Sequence, residues 1–162
     1  MTDSVSQTAI LGAGVMGETL LSGLIRGGRP VAELLVGEKR AERAAELQER
    51  YGVEVVGNVE AAQKADTLVL VVKPQDMDDL LAEIAPHIRQ GQLVVSLAAG
   101  ITTAFIESRL QDGTPVVRVM PNTPALVGAS ASAFSLGRSA TPEDGHLVSR
   151  LFSAVAKLYL SA

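Results

Sequence analysis

The amino-acid sequence predicts an α/β fold: a doubly wound, mostly parallel sheet with helices on both faces. Three observations carry that prediction. Short apolar runs alternate with segments of helical period along the chain. One run, residues 67–72 (Thr-Leu-Val-Leu-Val-Val), is almost continuously apolar, as a central parallel strand covered on both faces must be. The first strand, ending at Leu11, runs into Gly12, Gly14 and Gly17, and a helical pattern starts at once.

The elements follow in order. After the glycines, Leu20, Leu21, Leu24 and Ile25 recur at helical spacing, and Gly27-Gly28 supply a C-cap. Arg29-Pro30 lead to a second strand, Leu34-Leu35-Val36, and residues 40–51 read as a helix with Ala44, Leu47 and Tyr51 inward. Val53-Glu54-Val55-Val56 is a third strand, completing β-α-β-α-β. The run 67–72 is the fourth strand and stops at Lys73-Pro74. The next helix carries Met77, Leu80, Leu81 and Ile84 as one stripe, with Asp76, Asp78 and Asp79 near its positive end, and Pro86 ends it. Leu93-Val94-Val95-Ser96 is a buried strand, residues 103–110 a helix, and residues 116–120 a further strand. Pro121-Asn122-Thr123-Pro124 is a turn that two prolines hold away from helix, and residues 131–136 form a short strand. Thr141-Pro142-Glu143-Asp144 starts a helix: an N-cap threonine, a proline at the first position and an acid three residues on. Leu147, Val148, Leu151, Phe152 and Val155 give it a buried stripe, and residues 158–160 close the chain as a last strand or tail.

Composition bounds the function classes. The chain has 162 residues, 47% of them hydrophobic, and reads as one domain over residues 1–162, long enough to bury about two-thirds of its unfolded surface. No apolar run approaches the ~20 residues a membrane span needs. The first residues carry no basic or apolar leader, and with no cysteine in the chain the expectation is a cytoplasmic protein without disulfides. A net charge of −4 with only 3% aromatic residues argues against nucleic-acid binding. No ligand spacing accompanies His87 or His146, so no metal site is expected.

The glycine stretch has the chemistry of a dinucleotide site. Gly12 permits a tight strand-to-helix turn, Gly14 lets backbone approach a pyrophosphate, and Gly17 lets the helix pack closely on the strand. The helix start offers unpaired N–H groups to the phosphates. The other predicted strand ends, Gly37, Lys73, Ala98 and Pro121, are equally rich in small residues and define one ligand-binding edge. Glu38 stands where an acid bonds the ribose 2′-OH of NAD, whereas Lys39, Arg40 and Arg43 suit the 2′-phosphate of NADP. Cations at a helix start oppose its dipole, which favours a phosphate-binding purpose: NADP(H) is preferred and NAD(H) accepted. No serine elbow or histidine-based triad is present, so no catalytic residue is assigned, and hydride transfer asks the protein mainly for positioning and dryness.

Four segments, Gly12-Ala13-Gly14-Val15-Met16-Gly17, Val71-Val72-Lys73-Pro74-Gln75, Ser96-Leu97-Ala98-Ala99-Gly100-Ile101 and Arg118-Val119-Met120-Pro121-Asn122-Thr123-Pro124, occur in an order and spacing in which the chain resembles the N-terminal Rossmann domain of pyrroline-5-carboxylate reductase. The resemblance implies an NAD(P)H-dependent oxidoreductase that reduces 1-pyrroline-5-carboxylate, a small cyclic imine, to L-proline in the last step of proline biosynthesis. It implies that residues Gly12 to Gly17 hold the pyrophosphate, that Glu38 and Lys39 lie beside the adenosine ribose, and that Asn58 contacts the same end. It places Val72, Lys73 and Pro74 along the path to the nicotinamide, brings Ala98, Ala99 and Gly100 to it through backbone, and puts Asn122 and Thr123 at the reaction site. Family members continue into an all-helical domain that dimerises and clamps the substrate carboxylate. That domain is absent here, so the expectation is a cofactor-binding part, a fragment or a short form needing a second chain. The alternatives are an NAD(P)-binding module without turnover and a β-hydroxyacid dehydrogenase-type oxidoreductase; Met-Pro-Asn-Thr-Pro argues against the latter.

Overall fold

The computed structural model describes residues 6–12, 14–98, 100–119 and 134–161. Its strands are β1 (Thr8–Leu11), β2 (Leu34–Gly37), β3 (Glu54–Val56), β4 (Thr67–Leu70), β5 (Leu93–Ser96), β6 (Val116–Val119) and β7 (Phe134–Leu136). Its helices are α1 (Val15–Arg26), α2 (Ala41–Tyr51), α3 (Asn58–Lys64), α4 (Pro74–Ile84), α5 (Thr103–Arg109) and α6 (Pro142–Ser161). The strands form one sheet in the order β3-β2-β1-β4-β5-β6-β7, parallel except for β7. β1 pairs with β2 on one side and β4 on the other, so Leu11 stands level with both Gly37 and Leu70. The chain order therefore reverses beside β1, where open α/β sheets bind ligands.

The period of two along each strand divides the core into two layers. Ile10, Val36, Val69, Val95 and Val117 point to one face and pack with Leu20, Leu21 and Leu24 of α1, Leu47 of α2, and Val148, Leu151 and Phe152 of α6. Ala9, Leu11, Leu35, Leu68, Leu70, Val94 and Val116 point to the other and meet Ala61 and Ala62 of α3, the Met77, Leu80, Leu81, Ile84 stripe of α4, and Ile106 of α5. Each fully buried aliphatic side chain contributes about 1.5–3 kcal/mol. This is the doubly wound sheet that the alternating pattern predicts.

Helix ends follow local chemistry. At the end of α1, Arg29 N–H donates to the Leu24 carbonyl at 3.0 Å and Gly28 N–H to the Ile25 carbonyl at 3.1 Å. Gly28 holds φ +102°, the left-handed turn on which this double closure depends. At the start of α6, Thr141 and Asp144 cap each other: Asp144 N–H donates to Thr141 Oγ1 at 3.2 Å and Thr141 N–H to Asp144 Oδ2 at 2.9 Å.

Two expectations are corrected, and one helix goes unpredicted. The fourth strand ends at Leu70 rather than Val72, because β1 turns away at Gly12 and the next residues rise to Pro74, the first residue of α4. Helix α3 occupies residues to which the sequence pattern assigns no element; seven residues with small alanines inward are too short to display a helical period. Residues 158–160 are neither strand nor tail but belong to α6, since the helical stripe continues with no breaker before Ser161. Of the strand over 131–136 the described part is β7, antiparallel to β6. Met120 to Ala133 lie outside the described residues, as do Ala13 and Ala99.

Candidate dinucleotide-binding cleft

The site grows out of the turn between β1 and α1. Gly12 has φ +111°, and a Cβ built on it would lie 2.4 Å from the Val71 carbonyl oxygen, so conformation and space both demand glycine. A Cβ on Gly17 would come 2.0 Å from the Gly12 carbonyl oxygen, which is why α1 can lie against the turn. Gly14 is different: its backbone is extended and a Cβ there meets nothing within 4 Å. The three glycines thus divide into two that face protein and one that faces open space. Gly14 caps α1 without any side-chain bond, and the first bond closing the helix runs from Glu18 N–H to the Gly14 carbonyl at 3.0 Å. The N–H groups ahead of Glu18 are left for a ligand, at the positive end of the helix dipole.

A cleft of about 800 Å³ opens beside this turn. Its floor is Gly12, Gly14, Gly37, Val71 and Val72; Glu38, Lys39 and Arg40 line one wall, and Asn58, Lys73, Asp76, Asp79, Leu80 and Glu83 the other. Gly37 is required because a Cβ would fall 2.6 Å from both Asn58 Oδ1 and Leu11 Cδ2. Asn58 Nδ2 donates to Glu83 Oε1 at 3.2 Å, and a carboxylate can only accept, so the amide's oxygen is turned the other way. That oxygen is buried with no hydrogen-bond partner among the described residues, an acceptor that a hydroxyl or amino donor of a ligand would satisfy.

The turn after β2 is organised around Glu38. Its Oε2 accepts from the Arg40 backbone N–H at 2.8 Å and from Arg40 Nε at 3.0 Å, while Oε1 accepts from Arg40 Nη2 at 3.2 Å. The Glu38 side chain is 6% exposed and that of Arg40 is 68% exposed. Burial pushes the Glu38 carboxyl upward, but the side-chain and backbone bonds from Arg40 outweigh it and hold the group below its usual range. Arg43, expected beside Lys39 and Arg40, is not in the cleft. It stands a turn further along α2, where Nη2 meets Glu18 Oε1 at 2.6 Å and Nη1 meets Glu46 Oε1 at 2.7 Å.

Among the expected site residues, Gly12, Gly14, Glu38, Lys39, Arg40, Asn58, Val72 and Lys73 line the cleft together. Gly17 lies behind the turn, and Val15, 86% exposed, and Met16 stand on the solvent side of the start of α1. Pro74 opens α4, Ala98 is buried just past β5, and Gly100 follows with φ +75°. Ala13, Ala99, Asn122 and Thr123 fall outside the described residues. Sequence reasoning placed Gly37 on the ligand-binding edge, where the cleft has it, but missed the α4 wall. The signal for that wall was the spacing of Asp76, Asp79 and Glu83, at i, i+3 and i+7 on one helix face. His87 hydrogen-bonds Gln63 on α3 and His146 is exposed on α6; among the described residues no three His, Cys, Asp or Glu side chains are grouped as metal ligands. No helix among the described residues is long and apolar enough to cross a membrane.

These features suit an NAD(P) molecule: free amides and an open glycine flank for the pyrophosphate, and an acceptor and two cations for the adenosine end. Known proteins agree. Residues 7–100 match the model of a protein family described as NADP oxidoreductase, coenzyme F420-dependent. The pyrroline-5-carboxylate reductase of Mycobacterium tuberculosis is 43% identical over 161 residues, which cover 96% of this chain and 55% of that protein. A solved pyrroline-5-carboxylate reductase of Coxiella burnetii superposes with a TM-score of 0.82 at 27% identity, over 94% of this chain and 57% of that one. The pyrroline carboxylate reductase of Plasmodium falciparum, solved with NADP bound, superposes with a TM-score of 0.73 at 22% identity, over 93% of this chain and 55% of that one, a likeness of fold alone. The chain spans about half the length of the curated relatives it matches.

Proposed function

Because the chain belongs to the family described as NADP oxidoreductase, coenzyme F420-dependent, we propose that it is the dinucleotide-binding half of a pyrroline-5-carboxylate reductase, with NADPH preferred over NADH. The observation that carries this reading is the open flank of Gly14 at the uncapped start of α1, in a chain whose curated relatives are such reductases over almost its whole length. When bound, the reduced nicotinamide supplies a hydride to the imine carbon of 1-pyrroline-5-carboxylate, and the ring nitrogen takes up a proton to give L-proline. The chain's own residues bind and orient. The first amides of α1 hold the pyrophosphate, Lys39 and Arg40 meet the 2′-phosphate, and Asn58 accepts from the adenosine. Lys73, Pro74, Ala98 and Gly100 direct the nicotinamide toward the reaction site.

The Glu38–Arg40 pair supports the NADPH preference. Both oxygens of Glu38 already accept from Arg40, so little capacity is left for a ribose diol, while the exposed guanidinium remains available to a phosphate. A second reading is an NAD(P)-binding module without turnover. The substrate clamp and the dimer contacts would then come from further chain or from a partner, and the compartment would be the cytoplasm. Titration of the 162-residue chain with NADPH, followed by cofactor fluorescence, tests the binding reading: a saturable change of modest affinity is expected, and no change overturns it. Reductase activity with pyrroline-5-carboxylate should be negligible. Substantial turnover by the pure monomer would refute the half-enzyme reading.

A further inference from the structure

Outside the cleft, a dense cluster of charged side chains ties α1 to α2. Glu18 sits in the first turn of α1, next to Gly17, and accepts from three side chains of α2: Arg43 Nη2 at 2.6 Å, Tyr51 OH at 2.6 Å, and Arg50 Nη1. Arg43 and Arg50 each hold Glu46 as well. The side chains of Glu18 and Arg43 are only 19% and 18% exposed, which shields their attraction from solvent. The two acids and two guanidiniums balance, so the cluster adds no net charge beside the glycine turn.

The cluster's place in the chain gives it a consequence for the cleft. Arg40 is the residue from which α2 springs, and Ala44 N–H bonds the Arg40 carbonyl at 2.9 Å, so Arg40 and Arg43 move as one turn of helix. Helix α1 packs chiefly on α6 and helix α2 on β3, so the Glu18 cluster, which grips α2 at Arg43 near its start and at Arg50 and Tyr51 at its end, is a directional link between the two. We propose that Glu18 is a positioning residue: by gripping Arg43, Arg50 and Tyr51 it sets where the Glu38–Arg40 turn stands relative to the pyrophosphate-binding start of α1, and so governs discrimination between phosphorylated and unphosphorylated adenosine ribose. This rests on the cleft being a dinucleotide site. A dinucleotide bridges the start of α1 and the Glu38–Arg40 turn, which Glu18 couples through Arg43. The pyrophosphate fixes one end at Gly14, and a displaced Arg40 then weakens only the ligand that carries a 2′-phosphate.

The test is calorimetric titration of NADPH and NADH into the whole chain and into Glu18→Gln, with thermal melting alongside. Glu18→Gln is expected to raise the NADPH Kd about tenfold while leaving the NADH Kd within about twofold, so that the ratio of the two affinities falls roughly fivefold. A purely structural role would move the melting temperature and both affinities together. Equal losses for the two cofactors, or no change in either, overturn the proposal. Should Glu18→Gln not fold, Arg50→Ala removes one partner from a half-exposed side chain and is read by the same ratio. If the unaltered chain binds neither cofactor, the dinucleotide reading itself fails and the proposal falls with it.

Discussion

Gly17 lies so close over Gly12 that a Cβ on the first would come 2.0 Å from the carbonyl oxygen of the second. The obstacle is backbone, so no side-chain rotation relieves it. Gly17→Ala must therefore lift the start of α1 off β1, at a cost of about 3 kcal/mol or a melting temperature lower by roughly 6–12 °C. Thermal unfolding of the variant checks this. An unchanged midpoint would mean that the helix is not seated on the turn as described.

Gly14→Ala separates binding from folding. Its backbone angles, φ −77° and ψ −164°, are open to any residue, and the new methyl meets no protein atom. Stability should change by less than about 1 kcal/mol, the scale of an N-cap exchange. The methyl stands where a pyrophosphate would approach, so NADPH affinity should fall roughly tenfold or more. Melting and cofactor titration on one sample show whether the two effects part.

The cofactor preference predicts the behaviour of a charge reversal. Lys39→Glu with Arg40→Glu removes two cations from the cleft wall and frees Glu38 from its bidentate partner. NADPH should weaken by roughly 100-fold, about two charge-assisted contacts, while NADH changes little. Parallel titrations measure this; equal losses would show that these residues do not read the 2′-phosphate. Arg43 is left out of the variant because Glu18 and Glu46 hold it elsewhere.

How much of this was legible in the sequence depends on the range of the physics. The glycine roles, the α4 stripe and the Thr141–Asp144 cap were readable because each is set by residues a few positions apart. Arg43 was misplaced because its partner Glu18 is 25 residues away on another helix, and sequence order alone puts it beside Arg40. Helix α3 escaped notice because its inward residues are alanines, which carry little periodic signal. The orphaned Asn58 oxygen needs three dimensions: it exists only because Glu83 takes the amide nitrogen and Gly37 closes over the other side.

The Glu18 cluster also makes a pH prediction. The bonds from Tyr51 and then Arg43 outweigh burial and, with Arg50 adding to them, draw the Glu18 carboxyl down to about 2 from 4.5. A folded-state value below the unfolded one adds stability that is full above the unfolded value and is lost as pH falls toward the folded one. Urea midpoints should therefore drop between about pH 5 and about pH 2.5, and drop less in Glu18→Gln, which has no carboxylate to protonate. Coincident pH profiles for the two proteins would remove Glu18 from the acid response.

At the opposite end of the sheet, Gln92 is 1% exposed and acts as a clamp between loops. Its Nε2 donates to the carbonyls of Ala62 and Ala65, at the end of α3, and its Oε1 accepts from the Arg89 N–H. Each is a backbone group that the strand and helix ladders leave unpaired there. Gln92→Leu roughly keeps the volume but takes away the partner of the Ala62 carbonyl and of the part-buried Arg89 N–H, and leaves the Ala65 carbonyl only its 3.5 Å bond from Arg89 Nη2, which should cost about 2–3 kcal/mol. Because the clamp stands at the N-terminal ends of the strands, away from the cleft, NADPH affinity measured well below the melting temperature should stay within about twofold of the unaltered chain. A stable variant with weakened NADPH binding would reverse that assignment and make Gln92 part of the ligand site.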